Sequence, residues 1–158
     1  MKRYLISSLL AFILIFQIVS AQGIYNNGAK IVSGSGSYIV VQGNYLAESV
    51  SANHGTIDLD GTVSLTGNFT NNTTSGNALT NVDTDGYLIF KGSGSQNING
   101  SSASILQLEN FRVDNGANVN TNDFEVEVDG IANLNADGFL VTVGTKDFNI
   151  NGSLTGNG

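Results

Sequence analysis

Asn81-Val82-Asp83-Thr84-Asp85-Gly86 sets side-chain oxygens at the first, third and fifth positions of a loop and glycine at the sixth, as the opening of an EF-hand calcium loop does. Leu88 suits the eighth position. Gly92 stands at the twelfth, where a bidentate Glu should close the shell, and the apolar stretch Tyr87 to Phe90 replaces the expected helix. Asn81, Asp83 and Asp85 are therefore a weak Ca²⁺ candidate, with a plain Asp-Gly turn as the alternative, and no other cofactor is implied. A row of carboxylates is the second place where chemistry could sit. Asp123, Glu125, Glu127 and Asp129 alternate with Phe124, Val126 and Val128, so the acids share one solvent face if the apolar set points inward. Such acids can do acid–base work on acidic polysaccharides when Ca²⁺ and a Lys or Arg join them. The solvent side of any exported strand has the same pattern, and Arg112 is the only Arg beyond residue 21.

His54 is the only histidine, and the chain has no cysteine. Cys–His nucleophiles are excluded, and a Ser-His-Asp triad would have to use His54. That residue lies in Asn53-His54-Gly55, which reads as a turn with a solvent-facing imidazole, and no G-x-S-x-G elbow accompanies it. The expectation is a protein that is not an enzyme. Binding is the rival: Tyr25, Tyr38, Tyr45 and Tyr87 could serve as sugar platforms, provided they line one face. An ice-binding array would need a flat, regular set of Thr, and the Thr residues here are scattered.

Positioning any of these groups falls to the rest of the chain, which begins with a segment outside the fold. Lys2 and Arg3, the apolar run Leu9 to Phe16, and the small residues Val19-Ser20-Ala21 are the three parts of a secretory leader. The stretch Tyr4 to Val19 is shorter than the roughly 20 apolar residues of a membrane span and carries Ser7, Ser8 and Gln17. The expected division is a signal peptide over 1–21 and one domain over 22–158, with no membrane span once the leader is removed. Without Lys2 and Arg3, 4 of the 6 Lys and Arg remain against 13 Asp and Glu, a net charge near −9. Phosphate backbones would be repelled, so nucleic acid is not an expected partner. An acidic surface suits a soluble extracellular protein. Exported domains with weak cores usually lean on disulfides; with no Cys, this one must rely on strand pairing and stacking. It also has no Pro, which would remove a ladder donor.

Strand signals fill the domain. Ile57, Leu59, Val63 and Leu65 alternate with polar neighbours around Gly61, as do Phe124, Val126 and Val128, then Phe139, Val141 and Val143, then Phe148 and Ile150. This period of two marks strands with one buried face, and no apolar stripe of helical period follows residue 21. Hydrophobic residues make up 41% of the chain, and their patterning argues against disorder. Asn27-Gly28, Asp60-Gly61, Asp85-Gly86, Asn99-Gly100, Asn115-Gly116, Asp129-Gly130, Asp137-Gly138 and Asn151-Gly152 supply turns.

Wording also recurs. Leu59-Asp60-Gly61-Thr62-Val63-Ser64-Leu65-Thr66-Gly67-Asn68 returns as Ile150-Asn151-Gly152-Ser153-Leu154-Thr155-Gly156-Asn157. Asn27-Gly28-Ala29-Lys30-Ile31 is echoed by Asn115-Gly116-Ala117-Asn118-Val119, and Gly34-Ser35-Gly36-Ser37 by Gly92-Ser93-Gly94-Ser95. Short strands, frequent turns and repeated units predict an all-β fold, a right-handed parallel β-helix (β-solenoid), rather than a sandwich. At roughly 20 residues per coil the domain would make about six or seven coils, a rod of roughly 30 Å. The expected inward set is Ile57, Leu59, Val63, Leu65, Leu88, Phe90, Leu106, Leu108, Phe111, Val113, Phe124, Val126, Phe139, Val141 and Ile150. Asn71 to Asn77 contains no apolar residue and predicts a protruding loop, with a shorter one over Asn99 to Ser104.

The stretch Tyr87-Leu88-Ile89-Phe90-Lys91-Gly92-Ser93-Gly94-Ser95-Gln96-Asn97-Ile98-Asn99-Gly100, followed by Leu106-Gln107-Leu108-Glu109-Asn110-Phe111-Arg112-Val113-Asp114-Asn115-Gly116, resembles the repeats of large exported β-helical surface proteins. That family places a G-x-Q-x-I-x-G phrase before L-x-N-L-x-V-x-N and then L-x-V-x-G. Here Phe111 replaces the second Leu, and Val126-Glu127-Val128-Asp129-Gly130 fits the third phrase. The resemblance covers about Gly86 to Gly156. It implies an adhesin-like surface or secreted protein of a Gram-negative bacterium using the type IX route. Family members carry a C-terminal sorting domain, whereas this sequence reaches Asn157-Gly158 within a repeat, so it resembles an N-terminal portion of a longer array. The sequons, such as Asn68-Phe69-Thr70 and Asn151-Gly152-Ser153, then read as turn and ladder composition. The functional expectation is a non-catalytic structural or adhesive surface module. A carbohydrate-binding module is the first alternative and a polysaccharide-degrading enzyme the second. Glycans or cell-surface components are the expected partners, and an open last coil predicts end-to-end self-association.

Overall fold

The computed structural model describes residues 23–157 except 75, 81–84, 102–104, 115, 136, 142 and 143, and omits the side chains of Phe139 and Val141. The expected leader over 1–21 and the oxygen ligands Asn81 and Asp83 fall outside the described residues. Among the described residues there are strands and no helices, stacked as a β-solenoid of about five turns.

Each rung contributes to three parallel ladders. The first joins β1 (Ile24–Asn27), β4 (Tyr45–Val50), β8 (Phe69–Asn71), β11 (Ser95–Gly100), β14 (Asn118–Asn120) and β17 (Phe139–Val141). The second runs through β2 (Lys30–Ser33), β6 (Thr56–Leu59) and β9 (Leu79–Thr80), and again through β12 (Ile105–Leu108), β15 (Glu125–Val128) and β18 (Phe148–Ile150). The third joins β3 (Tyr38–Val41), β7 (Thr62–Leu65), β10 (Tyr87–Phe90), β13 (Asn110–Val113), β16 (Ile131–Leu134) and β19 (Ser153–Gly156). One antiparallel contact interrupts this order. β5 (Asn53–His54) folds back on the end of β4, Ser49 facing His54, as a small hairpin at a corner.

In-register stacking puts like side chains over one another. Ile31 lies under Ile57, Ile39 under Val63, Val63 under Leu88, and Leu88 under Phe111. The core is therefore a set of apolar columns along the axis, with Tyr45 stacked on Phe69 at 5.2 Å between ring centres and Phe111 meeting Phe148 edge-on at 5.4 Å. Of the expected inward set, every residue from Ile57 to Val126 is buried. Ile150 is half-buried, because it lies in the last rung of its ladder. The sequence reading missed Tyr45, Phe69, Ile98 and Val119 of the first ladder, all fully buried; the last three lie in strands dominated by polar residues.

Three further expectations need correction. The rungs are not of one length: the step between paired residues runs from 20 (Leu106 to Val126) to 29 (Phe69 to Ile98), so about five turns of unequal size replace the expected six or seven equal coils. Asn71 to Asn77 is not a simple protrusion. Asn71 and Thr73 are fully buried, and Asn71 Nδ2 donates to the carbonyls of Gly76 at 2.8 Å and Ile105 at 3.3 Å, while its Oδ1 accepts from the Thr73 amide and hydroxyl. Asn99-Gly100, expected to start a loop, ends β11 and pairs with Thr70-Asn71.

Four of the turn pairs have a common place. Asp60-Gly61, Asp85-Gly86, Asp129-Gly130 and Asn151-Gly152 all precede strands of the third ladder in register, and so stack as one corner of the solenoid. A Cβ at Gly86 would run into the Leu59 carbonyl of the neighbouring rung, which is why glycine holds the position. Between Asp85-Gly86 and Asp129-Gly130 the corner shortens to Glu109, directly between β12 and β13. The buried Asn110 amide makes up for it. Its Nδ2 donates to Gly86 O at 3.1 Å and its Oδ1 accepts from Ile131 N at 3.0 Å, because the Glu109 carbonyl is already taken by Gly130 N. Asn110→Ala is expected to lower unfolding stability by about 1–3 kcal/mol through the orphaned Ile131 N–H. Gln42→Ala, at an exposed side chain, should stay within about 0.5 kcal/mol; denaturant melts of both variants check the contrast.

Burial pushes the Tyr45 phenol up to about 12, the hydrogen bond from Asn26 pulling the other way. The folded protein thus holds a proton that the unfolded chain releases near pH 10. Stability from this group is full below pH 10 and is lost as pH rises to about 12, by up to about 3 kcal/mol. In Tyr45→Phe the fall in melting temperature across this window should be smaller than in the wild type.

Candidate functional site

The carboxylate row takes its expected place. Glu125 and Glu127 project outward from β15 while Val126 and Val128 are fully buried, and Asp123 and Asp129 sit at the corners that flank the strand. Their partners, however, are structural. Asp123 adopts a positive φ of 59° and its Oδ1 accepts from Thr145 N at 2.6 Å and Lys146 N at 3.1 Å. These bonds, the Thr145 amide first, hold its carboxyl below the usual range. Glu127 accepts from Gln107 Nε2 at 3.1 Å and Asn151 Nδ2 at 2.7 Å, and Gln107 then Asn151 lower its carboxyl likewise. Asn151 also bridges to Asp129 at 2.8 Å, and Lys146 lies 3.8 Å from Glu125. The row is a set of straps between rungs, and a general acid needs its pKa moved in the opposite direction.

Asp85, the described member of the calcium candidate, lies exposed at the stacked corner, on the rung next to Asp60. Among the described residues no three His, Asp or Glu side chains converge on a point that could hold a metal ion. His54 is half-buried rather than solvent-facing, and its Nδ1 lies 2.7 Å from Ser49 Oγ. That oxygen also accepts from Thr74 N at 3.0 Å, so the pair ties the corner hairpin to the next rung. Sequence reasoning missed this contact, because it arises from the fold-back of β5.

The four tyrosines separate. Tyr45 is inside the core, and Tyr25 lies on the first ladder with its hydroxyl donating to Glu48 at 2.8 Å. Tyr38 and Tyr87 share an outward column of the third ladder, with Thr62 between them. The surface around this pair differs from the rest of the molecule. None of the six strands of the third ladder contains an Asp or Glu, on a chain with 13 of them. Tyr38 is 54% exposed and Val40 47%, while Ser64 and Ile89 also point outward yet are buried beneath longer neighbours.

Lys91 Nζ stands 5.6 Å from the Tyr38 ring centre and donates to its hydroxyl at 3.3 Å, an arrangement favourable to the ring quadrupole. Arg112, one rung from Ile89 in the same outward column, forks onto Asp114 through Nε at 2.7 Å and Nη2 at 3.0 Å. Asp114 is braced in turn by Asn135 Nδ2 at 2.7 Å. Ser64 Oγ is buried short of any well-formed hydrogen bond, with the Tyr38 phenol as its polar neighbour. The Ser64 hydroxyl first, then Lys91 and Arg112, hold that phenol below the usual tyrosine value against the opposing effect of partial burial. Tyr25 moves the other way, raised by Glu48.

No protein-family model matches the sequence, and no curated protein or solved structure is similar to it at a significant level. The site must be judged on its own chemistry.

In an alkaline spectrophotometric titration, with single Tyr→Phe variants assigning the steps, Tyr38 is expected to ionise before Tyr25. Lys91→Gln should move the Tyr38 step to higher pH and leave Tyr25 in place. The reverse order would contradict the placement of Lys91 over the Tyr38 ring.

Proposed function

We propose that the chain is a non-catalytic, exported surface module, structural and adhesive, built as one stretch of β-solenoid. The observation that carries this reading is the use made of the polar surface. Asp123, Glu127, Asp129, Asn135 and Asn151 all spend their hydrogen bonds on neighbouring rungs, and Ser49 and His54 tie a corner hairpin to the next rung, so these groups serve as straps of a solvated rod. A leader of the kind spelled by Lys2, Arg3 and Val19-Ser20-Ala21 supports export to the surface or exterior of a Gram-negative cell. Display on such a surface favours weak, multivalent contact with glycans or other cell-surface components. Leu154, at an inward register position above Ala132, is 62% exposed; it supports stacking of a further rung, including that of a second copy end to end.

A carbohydrate-binding module is the second reading, and the shared column of Tyr38 and Tyr87 favours it. The buried Tyr45 and the separate Tyr25 limit any platform to those two rings.

A polysaccharide-cleavage panel with and without Ca²⁺ is expected to show no turnover. Reproducible cleavage that disappears when Asp123, Glu125 and Glu127 are replaced would overturn the non-catalytic reading. Light scattering of the mature chain should show a mass that grows with concentration, and Leu154→Lys should reduce that growth.

A further inference from the structure

The outward surface of the third ladder combines three things that occur together nowhere else among the described residues. It offers two tyrosine rings in one column, a strip of strand free of carboxylates, and a lysine for which no carboxylate partner is seen. The other described cations are engaged: Lys30 lies 2.7 Å from Asp58, Arg112 is forked on Asp114, and Lys146 is beside Glu125. Lys91 instead touches the Tyr38 ring and hydroxyl. Asp60 and Asp85 border the strip at the stacked corner and Asp114 holds Arg112, so the distinguishing group is Lys91 alone, a cation held by a tyrosine instead of a carboxylate, and its complement is an anion.

We propose that this face docks a polysaccharide strand bearing carboxylate groups, with Tyr38 and Tyr87 as platforms for successive sugar rings and Lys91, seconded by Arg112, as the recogniser of the carboxylate. The proposal rests on the adhesive reading above and names its partner. The geometry supports it in three ways. The backbone positions of Tyr38 and Tyr87 are two rungs apart, about 10 Å along the axis at the usual strand spacing, commensurate with the repeat of an extended 1,4-linked disaccharide, and the Tyr38 side chain leans from its position toward Lys91. Apolar sugar faces gain by stacking on aromatic rings, here the exposed Tyr38 and the half-buried Tyr87. Thr62 lies between the rings to meet sugar hydroxyls, while the buried Ile89 beside Tyr87 keeps the floor of the strip rigid and dry. Arg112 is preset by its fork to Asp114, which uses Nε and Nη2 and leaves Nη1 outside the pair.

Isothermal titration of the mature chain with polygalacturonate oligosaccharides, matched neutral cello-oligosaccharides and dextran sulfate tests the assignment. Binding is expected for the carboxylated oligosaccharide and not for the other two. Lys91→Gln should weaken it about tenfold, the fold-change of one charge-assisted hydrogen bond. Tyr38→Ala should weaken it at least as much, whereas Tyr38→Phe should retain most of the affinity, a contrast that a folding defect would not produce. Lys146→Gln, a cation in the segment before β18 of the second ladder, should leave it unchanged. Absence of binding to the carboxylated sugar overturns the proposal, as does equal binding of dextran sulfate or insensitivity to both Lys91→Gln and Tyr38→Ala. Beads coated with the wild-type chain and with Tyr38→Ala, applied to whole bacterial cells, separate the two levels. Wild-type adhesion that Tyr38→Ala preserves overturns the docking face and leaves the adhesive reading standing. Wild-type beads that do not adhere remove the adhesive reading itself.

Discussion

Everything in this molecule depends on where the backbone hydrogen bonds go when the chain turns a corner. Within the ladders the answer is simple: strand N–H and C=O groups pair with the rung above or below. At the corners the strands end, rung lengths differ and the pairing falls out of step, while the backbone remains too enclosed for water to complete it freely. Buried polar groups without partners are costly, so the corners are finished by side-chain amides. Asn26, Asn71, Gln96 and Asn110 are each nearly or fully buried, and each spans backbone groups of different segments. Gln96 does this for the corner before β11, accepting from Gly92 N at 2.8 Å and donating to Gly67 O at 2.7 Å. A chain without disulfides or proline thereby fixes its corners with carboxamides, which carry donor and acceptor on one short stem.

This explains which parts of the fold could be read in advance. The second and third ladders announce themselves because their strands alternate cleanly, as in Val63-Ser64-Leu65 or Val126-Glu127-Val128, and a period of two needs no knowledge of the partner strand. The first ladder was opaque. Phe69-Thr70-Asn71 and Ser95-Gln96-Asn97-Ile98-Asn99-Gly100 bury Asn71 and Gln96 alongside Phe69 and Ile98, so polarity stopped being a guide to direction. Repeated wording was a mixed guide for the same reason. The phrases around Gly61 and Gly152 occupy one corner on different rungs. Asn27-Gly28 and Asn115-Gly116 do not: one leads into the second ladder and the other into the first. What they share is a glycine at positive φ, 87° and 77°, which is a demand of turns in general and not of a position in the coil.

The candidate docking strip was legible only in fragments. Tyr38 and Tyr87 could be singled out as aromatic, and Lys91 and Arg112 as two of few cations, but 53 residues separate Tyr38 from the lysine that touches it. Their convergence follows from rung lengths of 24 and 25 residues between Ile39, Val63 and Leu88, quantities set by corner insertions that no local pattern reveals. The carboxylate row shows the converse. Its alternation was plain, but its meaning changed once Thr145, Gln107 and Asn151 were found to occupy the oxygens.

Parallel ladders also decide how such a rod answers to force. The inter-strand bonds of every rung point along the solenoid axis, so tension between the two ends pulls each bond along its own length instead of shearing a whole ladder at once. Rungs should then peel singly from an end, and a rung of 21 residues, the spacing between Ile24 and Tyr45, would release roughly 70 Å of extended chain. The unequal rungs give unequal releases, the longest being the one between Phe69 and Ile98. A rod made this way yields by stepwise lengthening under traction, and each detached rung can wind back onto the template left by its neighbour.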